Sequence, residues 1–177
     1  MSSRDRWLET GLAVLADEGI KAVTIERLCD DIGLSKGSFY HHFGGAGGYH
    51  TALLAYFEER ETARYVAAAE AVPAGDARAR LDHLKALVAG SDDSAALERA
   101  VRAWAAQDGV AREALERIDA RRIGYLQQLL VEITGRRAEA ADLARIVYLV
   151  LLGSYHVLPP VPLKDVERLW TRILATT

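Results

Sequence analysis

Two adjacent histidines, His41 and His42, stand just ahead of a glycine run, Gly44-Gly45-Ala46-Gly47-Gly48. The pairing suggests three kinds of chemistry. A glycine-rich loop can wrap a nucleotide phosphate, a histidine pair can hold a metal or move a proton, and donors on a short helix can dock on a nucleic acid. The first needs a preceding strand with G-x-G-x-x-G spacing or a Gly-Lys-Ser/Thr ending, and SKGSFYHHFGGAGGYH has neither. The second fails on direction, because neighbouring residues of a helix point about 100° apart and the two imidazoles do not converge without distant partners. The only cysteine, Cys29, can neither close an intrachain disulfide nor complete a zinc site. We therefore expect no catalytic residue, no metal and no cofactor, and read the glycines as the exit of one helix and the start of the next.

The elements that must present such donors are all helical. Half of the 177 residues are hydrophobic, enough for a buried core, and apolar spacing follows the helical period with no strand-length alternation. The expected class is all-α with about nine helices. Leu8, Leu12 and Leu15 form a stripe behind Ser2 and Ser3 as candidate caps, ending at Asp17-Glu18-Gly19. Thr24 caps a second helix carrying Ile25, Leu28, Cys29 and Ile32, stopped by Gly33. Ser35 caps a third from Lys36 to His42, whose Phe39 and Phe43 fold back onto the first two. A long helix follows from Tyr49 to about Val72, stopped by Pro73 and Gly75. Further helices are expected at about Ala77 to Ala89, Ser94 to Gln107, Val110 to Thr134, Glu139 to Val157 and Leu163 to Ala175, with Gly90 as one separator.

The segment Ile146 to Leu163 carries no Asp, Glu, Lys or Arg, yet Pro159, Pro160 and Pro162 stop the helix near Val157, leaving a core or subunit-interface length rather than a membrane span. The start, MSSRDRWLETGL, has charges where a signal peptide has an apolar run, so a cytoplasmic location and no membrane partner are expected.

Helices two and three, joined by a Gly-Leu-Ser turn, form a helix-turn-helix pattern, and Lys36, Gly37, Ser38, Tyr40, His41 and His42 offer donors suited to phosphates and base edges. The stretch TIERLCDDIGLSKGSFYHHF resembles the TetR family of transcriptional repressors: a Thr, an amphipathic helix, a Gly-hydrophobic-Ser turn, then Gly, an aromatic, Tyr, His and Phe. The resemblance is close from about Leu8 to Leu54. Further on it rests on helix order, helix length and the phrase RAWAAQDGVAREALERIDARR.

The resemblance implies a DNA-binding domain at 1–47 and an effector-binding and dimerisation domain at 48–177. It implies a homodimer that places each third helix in a major groove of a double-stranded operator, and an unidentified small-molecule effector held among the later helices. By the same carry-over, Thr24 and Tyr40 are phosphate contacts, His42 lies near the backbone, and Lys36, Gly37, Ser38 and His41 sit where bases are read. Plainer roles stand beside these: Thr24 as an N-cap, Tyr40 as a packing residue, His41 as a solvated one. Trp104, Tyr125 and Tyr148 are the effector candidates, with plain core as their alternative. Arg121, Arg122 and His83 could add polarity to such a pocket, but Glu113, Glu116 and Asp119 nearby favour a solvated, ion-paired helix face instead. The expected dimer face consists of Val147, Val150, Leu151 and Ser154 on one helix and Val166, Leu169, Trp170 and Ile173 on the last, with a monomer core helix as the alternative.

Two departures bear on DNA binding. Where the family has Ser or Asn followed by Lys, this chain has Gly45 and Ala46, losing a cap and a cation together. In residues 1–50, Arg4, Arg6, Lys21, Arg27 and Lys36 are outnumbered by the carboxylates Asp5, Glu9, Asp17, Glu18, Glu26, Asp30 and Asp31, so no basic footprint exists in bulk. The reading is a ligand-responsive dimeric repressor. Its alternative is an all-helical ligand- or partner-binding dimer with weak or lost operator affinity.

Overall fold

The computed structural model describes residues 2–72, 76–89 and 94–175, and among them there is helix and connection but no strand. Among the described residues nine helices follow one another: α1 (Ser3–Glu18), α2 (Ile25–Ile32), α3 (Lys36–Phe43), α4, α5 (Ala77–Ala89), α6 (Ser94–Ala105), α7 (Gly109–Thr134), α8 (Arg137–His156) and α9 (Leu163–Leu174). Helix α4 is composite: Ala46–Glu58 passes through a wider π turn, Glu59–Ala63, directly into Arg64–Glu70. The expected helix stops Pro73, Gly75 and Gly90 lie outside the described residues. The chain forms two compact units, Met1–Glu61 with Asp93–Glu116, and Thr62–Asp92 with Arg117–Thr177.

In the first unit the expected caps set the helix starts. Ser2 Oγ accepts from the Asp5 amide at 3.1 Å while Asp5 Oδ2 accepts from the Ser2 amide at 2.9 Å, a reciprocal capping box that opens α1. Thr24 and Ser35 open α2 and α3 in the same sense, accepting from the amides of Arg27 and Ser38 at 3.2 and 3.3 Å. The apolar stripe of α1, joined by Trp7, is fully buried against Leu28, Phe39, Tyr49 and Leu53, and α6 packs along α1 with Leu97 and Val101 buried. Burial of each such side chain contributes about 1.5–3 kcal/mol. Phe39 is the wedge: its ring lies 5.3 Å from Trp7 edge-on, 5.2 Å from Phe43 and 5.0 Å from Tyr49.

Two close approaches fix α4 to this core. Tyr49 Oη donates to the Trp7 carbonyl at 2.7 Å in a buried site, and it fits only because Gly11 has no side chain: a Cβ there would lie 1.9 Å from that oxygen. At the start of α4, a Cβ on Gly48 would lie 2.0 Å from the Phe43 carbonyl oxygen. The turn between α3 and α4 uses Gly44 at φ 69° and Gly45 at φ 153°, the latter in a region that side chains rarely enter.

The second unit buries Leu81, Leu129, Leu130, Ala140, Ala144, Val147, Val166 and Trp170 in one cluster, and Trp170 Nε1 donates to the Val147 carbonyl at 3.0 Å, tying α9 to α8. Arg80 of α5 is buried there between Glu70 and Glu132; its Nη1 donates to Glu70 at 3.1 Å, and Nη2 donates to Glu132.

Candidate nucleic-acid interface

Helix α3 has an inward and an outward face. Phe39 and Phe43 point into the core, which leaves Lys36, Gly37, Tyr40 and His41 exposed and Ser38 and His42 half-buried. Tyr40 is 52% exposed, with only the edge of its ring against Phe39 at 5.9 Å, so it is a presented residue rather than a packed one. With Ser38's amide claimed by the Ser35 cap and Phe39's by the Ser35 carbonyl, the amides of Lys36 and Gly37 stand outside the helical ladder at the positive end of the helix dipole. Gly37 has room for a side chain, since a Cβ would meet only Ser35 Oγ, at 3.7 Å. No clash therefore requires glycine at this position. His42 Nε2 lies 2.8 Å from Ser3 Oγ, which links the end of α3 to the start of α1. Thr24 is exposed and serves as N-cap, and its carbonyl accepts from Leu28.

Most of the cations nearby are already engaged. Lys36 Nζ lies 2.5 Å from Glu26 Oε1, an ion pair that raises the ammonium pKa and lowers the carboxyl pKa. Arg27 is gripped by Glu18 at 2.7 Å and Asp31 at 2.9 Å, and its guanidinium pKa is raised, Glu18 being the larger cause. Arg6 donates to the Ile32 carbonyl at 2.8 Å, and Arg4 lies over the Phe43 ring at 5.8 Å. Lys21 stands exposed in the 3₁₀ turn Ile20–Ala22, ahead of Thr24. Glu26 and Lys21, neither of them singled out by the sequence pattern, thus stand beside the exposed face of α3 and Thr24 respectively. Lys21 sits in a turn that periodicity does not show, and the partner of Glu26 lies ten positions away, across the turn.

The effector candidates are divided between the two units. Trp104 lies in the first unit, 4% exposed, with its ring 5.2 Å from His50, whose pKa is lowered by burial and partly restored by Asp108. Tyr125 and Tyr148 lie in the second. Tyr148 Oη donates to Asp119 at 2.6 Å and accepts from Arg122 at 3.2 Å, and Arg122 also donates to Thr62 Oγ1 at 2.8 Å. Arg122 and Asp119 are therefore half-buried around a tyrosine, which corrects their expected place on a solvated face, whereas His83 and Arg121 are exposed. Tyr125 Oη donates to Glu70 at 2.6 Å; burial first, then that carboxylate, pushes its pKa up, while the same hydrogen bond is the largest cause lowering the Glu70 pKa.

The expected dimer face needs correction in detail. Val147, Ser154, Val166 and Trp170 are buried within the chain's own second unit, at 4, 5, 0 and 3% exposure, and are closed to a second copy. Val150, Leu151 and Ile173 are half-buried, and Leu169 is 40% exposed. The outward apolar residues of α8 are instead Ile146 and Leu149, at 44 and 63% exposure, the latter one helical turn from exposed Gly153. Among the described residues no helix is long and apolar enough to cross a membrane, and no group of His, Cys, Asp and Glu is placed to hold a metal ion.

A capped, glycine-turned helix pair presenting donors on its second helix defines a helix-turn-helix protein. Residues 8–45 match the model of the bacterial regulatory proteins of the tetR family. The HTH-type transcriptional repressor KstR2 of Mycolicibacterium smegmatis is 43% identical over 42 residues, 24% of this chain and 20% of the relative. KstR2 of Mycobacterium tuberculosis is 36% identical over 64 residues, 36% of this chain and 32% of the relative. These matches span between about a fifth and a third of the relatives' length. Over the whole chain the fold is similar to a crystal structure assigned to a TetR-family transcriptional regulator from Rhodococcus, with TM-score 0.80 and 22% identity over 98% of this chain and 97% of that one. It is also similar to the multidrug binding protein EbrR complexed with malachite green, with TM-score 0.69 and 20% identity over 98% of both chains. The family match is therefore confined to the helix-turn-helix segment at residues 8–45, and over its whole length the chain shares the all-helical fold of the Rhodococcus structure.

Proposed function

We propose that the chain is a cytoplasmic, dimeric DNA-binding transcriptional regulator, a repressor released from a palindromic operator by a small molecule. The observation that carries this reading is α3, with its aromatic face locked into the core and Lys36, Gly37, Tyr40 and His41 turned outward beside two open backbone amides. Thr24, Ser38 and His42 flank that surface as phosphate or base-edge contacts. The KstR2 relatives are themselves named transcriptional repressors. The division into a reading head at 1–47 and an effector and dimer region at 48–177 belongs to the same proposal.

A second copy is expected against α8 and α9, where Ile146, Leu149 and Leu169 are exposed. Such a two-fold pairing presents two α3 helices to successive major grooves about 34 Å apart. The effector part draws support from EbrR, which is complexed with malachite green, and from Tyr125 and Tyr148 as aromatic groups with polar tips, with Trp104 as a further candidate. A ligand acts by binding the DNA-incompetent arrangement more tightly, with a coupling of about 1–3 kcal/mol.

The second reading, a dimer without useful operator affinity, is favoured by one observation: Lys36 and Arg27 are both neutralised by carboxylates. A mobility-shift titration on duplex from the chain's own upstream region, against unrelated duplex at equal salt, separates the two. Preference for the upstream duplex supports the regulator; equal, weak binding to both supports the alternative. Sedimentation velocity of the parent and of Leu149→Glu tests the dimer: the parent should sediment as a dimer at micromolar concentration and the variant as a monomer.

A further inference from the structure

The geometry points to Glu26 as a specificity-determining residue of the DNA interface, acting with Lys36 as one acceptor–donor unit that reads a G·C base pair, the ammonium on guanine and the carboxylate on cytosine. This rests on the operator-binding reading above and goes further by naming the base pair and the residue that selects it.

A carboxylate on a surface meant for phosphates needs a reason. Glu26 sits in the first turn of α2 and Lys36 is the first residue of α3, and their side chains, 67% and 58% exposed, meet at 2.5 Å. An ion pair that open to water adds little to stability, so it is poorly explained as a staple. It does place an acceptor and a donor side by side at the entry of the helix whose outer face is free. Any docking that brings Lys36 to the bases brings Glu26 with it. There the carboxylate finds no partner on a phosphate, only repulsion, whereas base edges do offer donors.

The spacing of the pair matches one feature of the major groove. In a G·C pair guanine O6 and cytosine N4 are themselves joined by an N–H···O bond and so lie about 2.9 Å apart, close to the 2.5 Å between Nζ and Oε1. The ammonium then faces two acceptors, O6 and N7, and the carboxylate faces the N4 donor of cytosine, whose own major-groove edge carries no acceptor. An A·T pair offers a similar donor and acceptor but fits worse on both sides. The carboxylate at adenine N6 would lie next to the N7 lone pair, and the ammonium at thymine O4 would have a single acceptor beside a methyl group. Orientation is also fixed, because inverting the pair puts like groups opposite each other.

The test is selection from a pool of randomised duplexes by the full chain, by Glu26→Gln and by the exchange Glu26→Lys with Lys36→Glu, with helical content checked by circular dichroism. The parent should enrich one fixed G·C at the same place in each half-site. Glu26→Gln should still bind but lose about tenfold of the discrimination at that pair, and it should bind random-sequence duplex more tightly with a steeper salt dependence, since the ammonium is released. The exchanged protein keeps its ion pair but reverses the donor–acceptor order, so its preferred pair should invert to C·G, an outcome that no purely structural role of the ion pair produces. The same enriched bases for all three proteins would overturn the role of Glu26 while leaving operator binding intact. A parent that enriches nothing defeats the operator-binding reading itself, and this inference with it.

Discussion

Gly11→Ala adds a single carbon to the middle of α1, and the structure says how it should be felt. The new Cβ would lie 1.9 Å from Tyr49 Oη, 3.0 Å from Cζ of the same ring and 3.1 Å from Leu53 Cδ1. Helix propensity favours the alanine by about 1 kcal/mol. Against it, the buried ring must move, at a cost of about 1–3 kcal/mol for overpacking, and its hydrogen bond to the Trp7 carbonyl, worth about 0.5–1.5 kcal/mol, is lost. A net destabilisation of about 2 kcal/mol is expected. Tyr49→Phe alone should cost about 1 kcal/mol through the same hydrogen bond. With the hydroxyl gone, however, the worst contact disappears and the others need shifts of only a few tenths of an ångström. The double variant should therefore be about as stable as Tyr49→Phe, with a coupling of about 2 kcal/mol. Urea unfolding followed by tryptophan fluorescence, where Trp7 reports on this site, measures all four corners of the cycle. Additive single effects, or a Gly11→Ala protein more stable than the parent, would refute the close approach of α1 and Tyr49.

Ala46 is exposed at the first position of α4, so Ala46→Lys should supply one phosphate contact per subunit; the slope of log affinity against log salt for the dimer should become more negative by about 1.8 with base preference unchanged, as read by anisotropy titrations at several salt concentrations. Restoring the family's cap is a different matter. Gly45→Ser should lower the thermal midpoint through about 1–3 kcal/mol of backbone strain at φ 153°, rather than raise it by the usual gain from a cap. His50 has its pKa lowered in the folded chain by burial, so the unfolded chain takes up a proton first as pH falls; stability is complete above the ordinary histidine range, about pH 6.5, and declines on acidification through it. His50→Gln should narrow the difference in thermal midpoint between pH 8 and pH 5.5, and an unchanged difference would show that His50 is not the group responsible.

What could be read from the sequence was local. Ser2, Thr24 and Ser35 cap the helices they were expected to cap, Gly19, Gly33 and Gly44 end them, and Phe39 and Phe43 are core, because each depends on neighbours within a turn or two. The start of α4 was missed by three residues since glycines carry no periodic signal. Contacts between distant positions were not legible: Gly11 beneath Tyr49, Glu26 against Lys36, and Arg122 and Asp119 around Tyr148. On α8 the sequence IVYLVLLGSY is apolar on every side, so spacing alone cannot tell the face that packs on Trp170 from the face left open, and the expected interface set mixes buried Val147 and Ser154 with half-buried Val150 and Leu151.

The turn between α3 and α4 has a consequence for anyone who mutates this gene at random. Single-base changes at a glycine codon introduce Ala, Ser, Asp, Val, Arg and other residues with a Cβ, and three of the four glycines here reject one for two unrelated reasons: Gly44 and Gly45 by their dihedral angles, Gly48 by the Phe43 carbonyl. Gly47 is open and Ala46 exposed. A fitness map of the segment would thus show intolerant positions on either side of a permissive pair, and its deepest minima would fall on atoms that need never come near a nucleotide. Intolerance there records how the chain turns a corner, and only at residues such as Lys36 and Tyr40 does it become information about what the corner delivers.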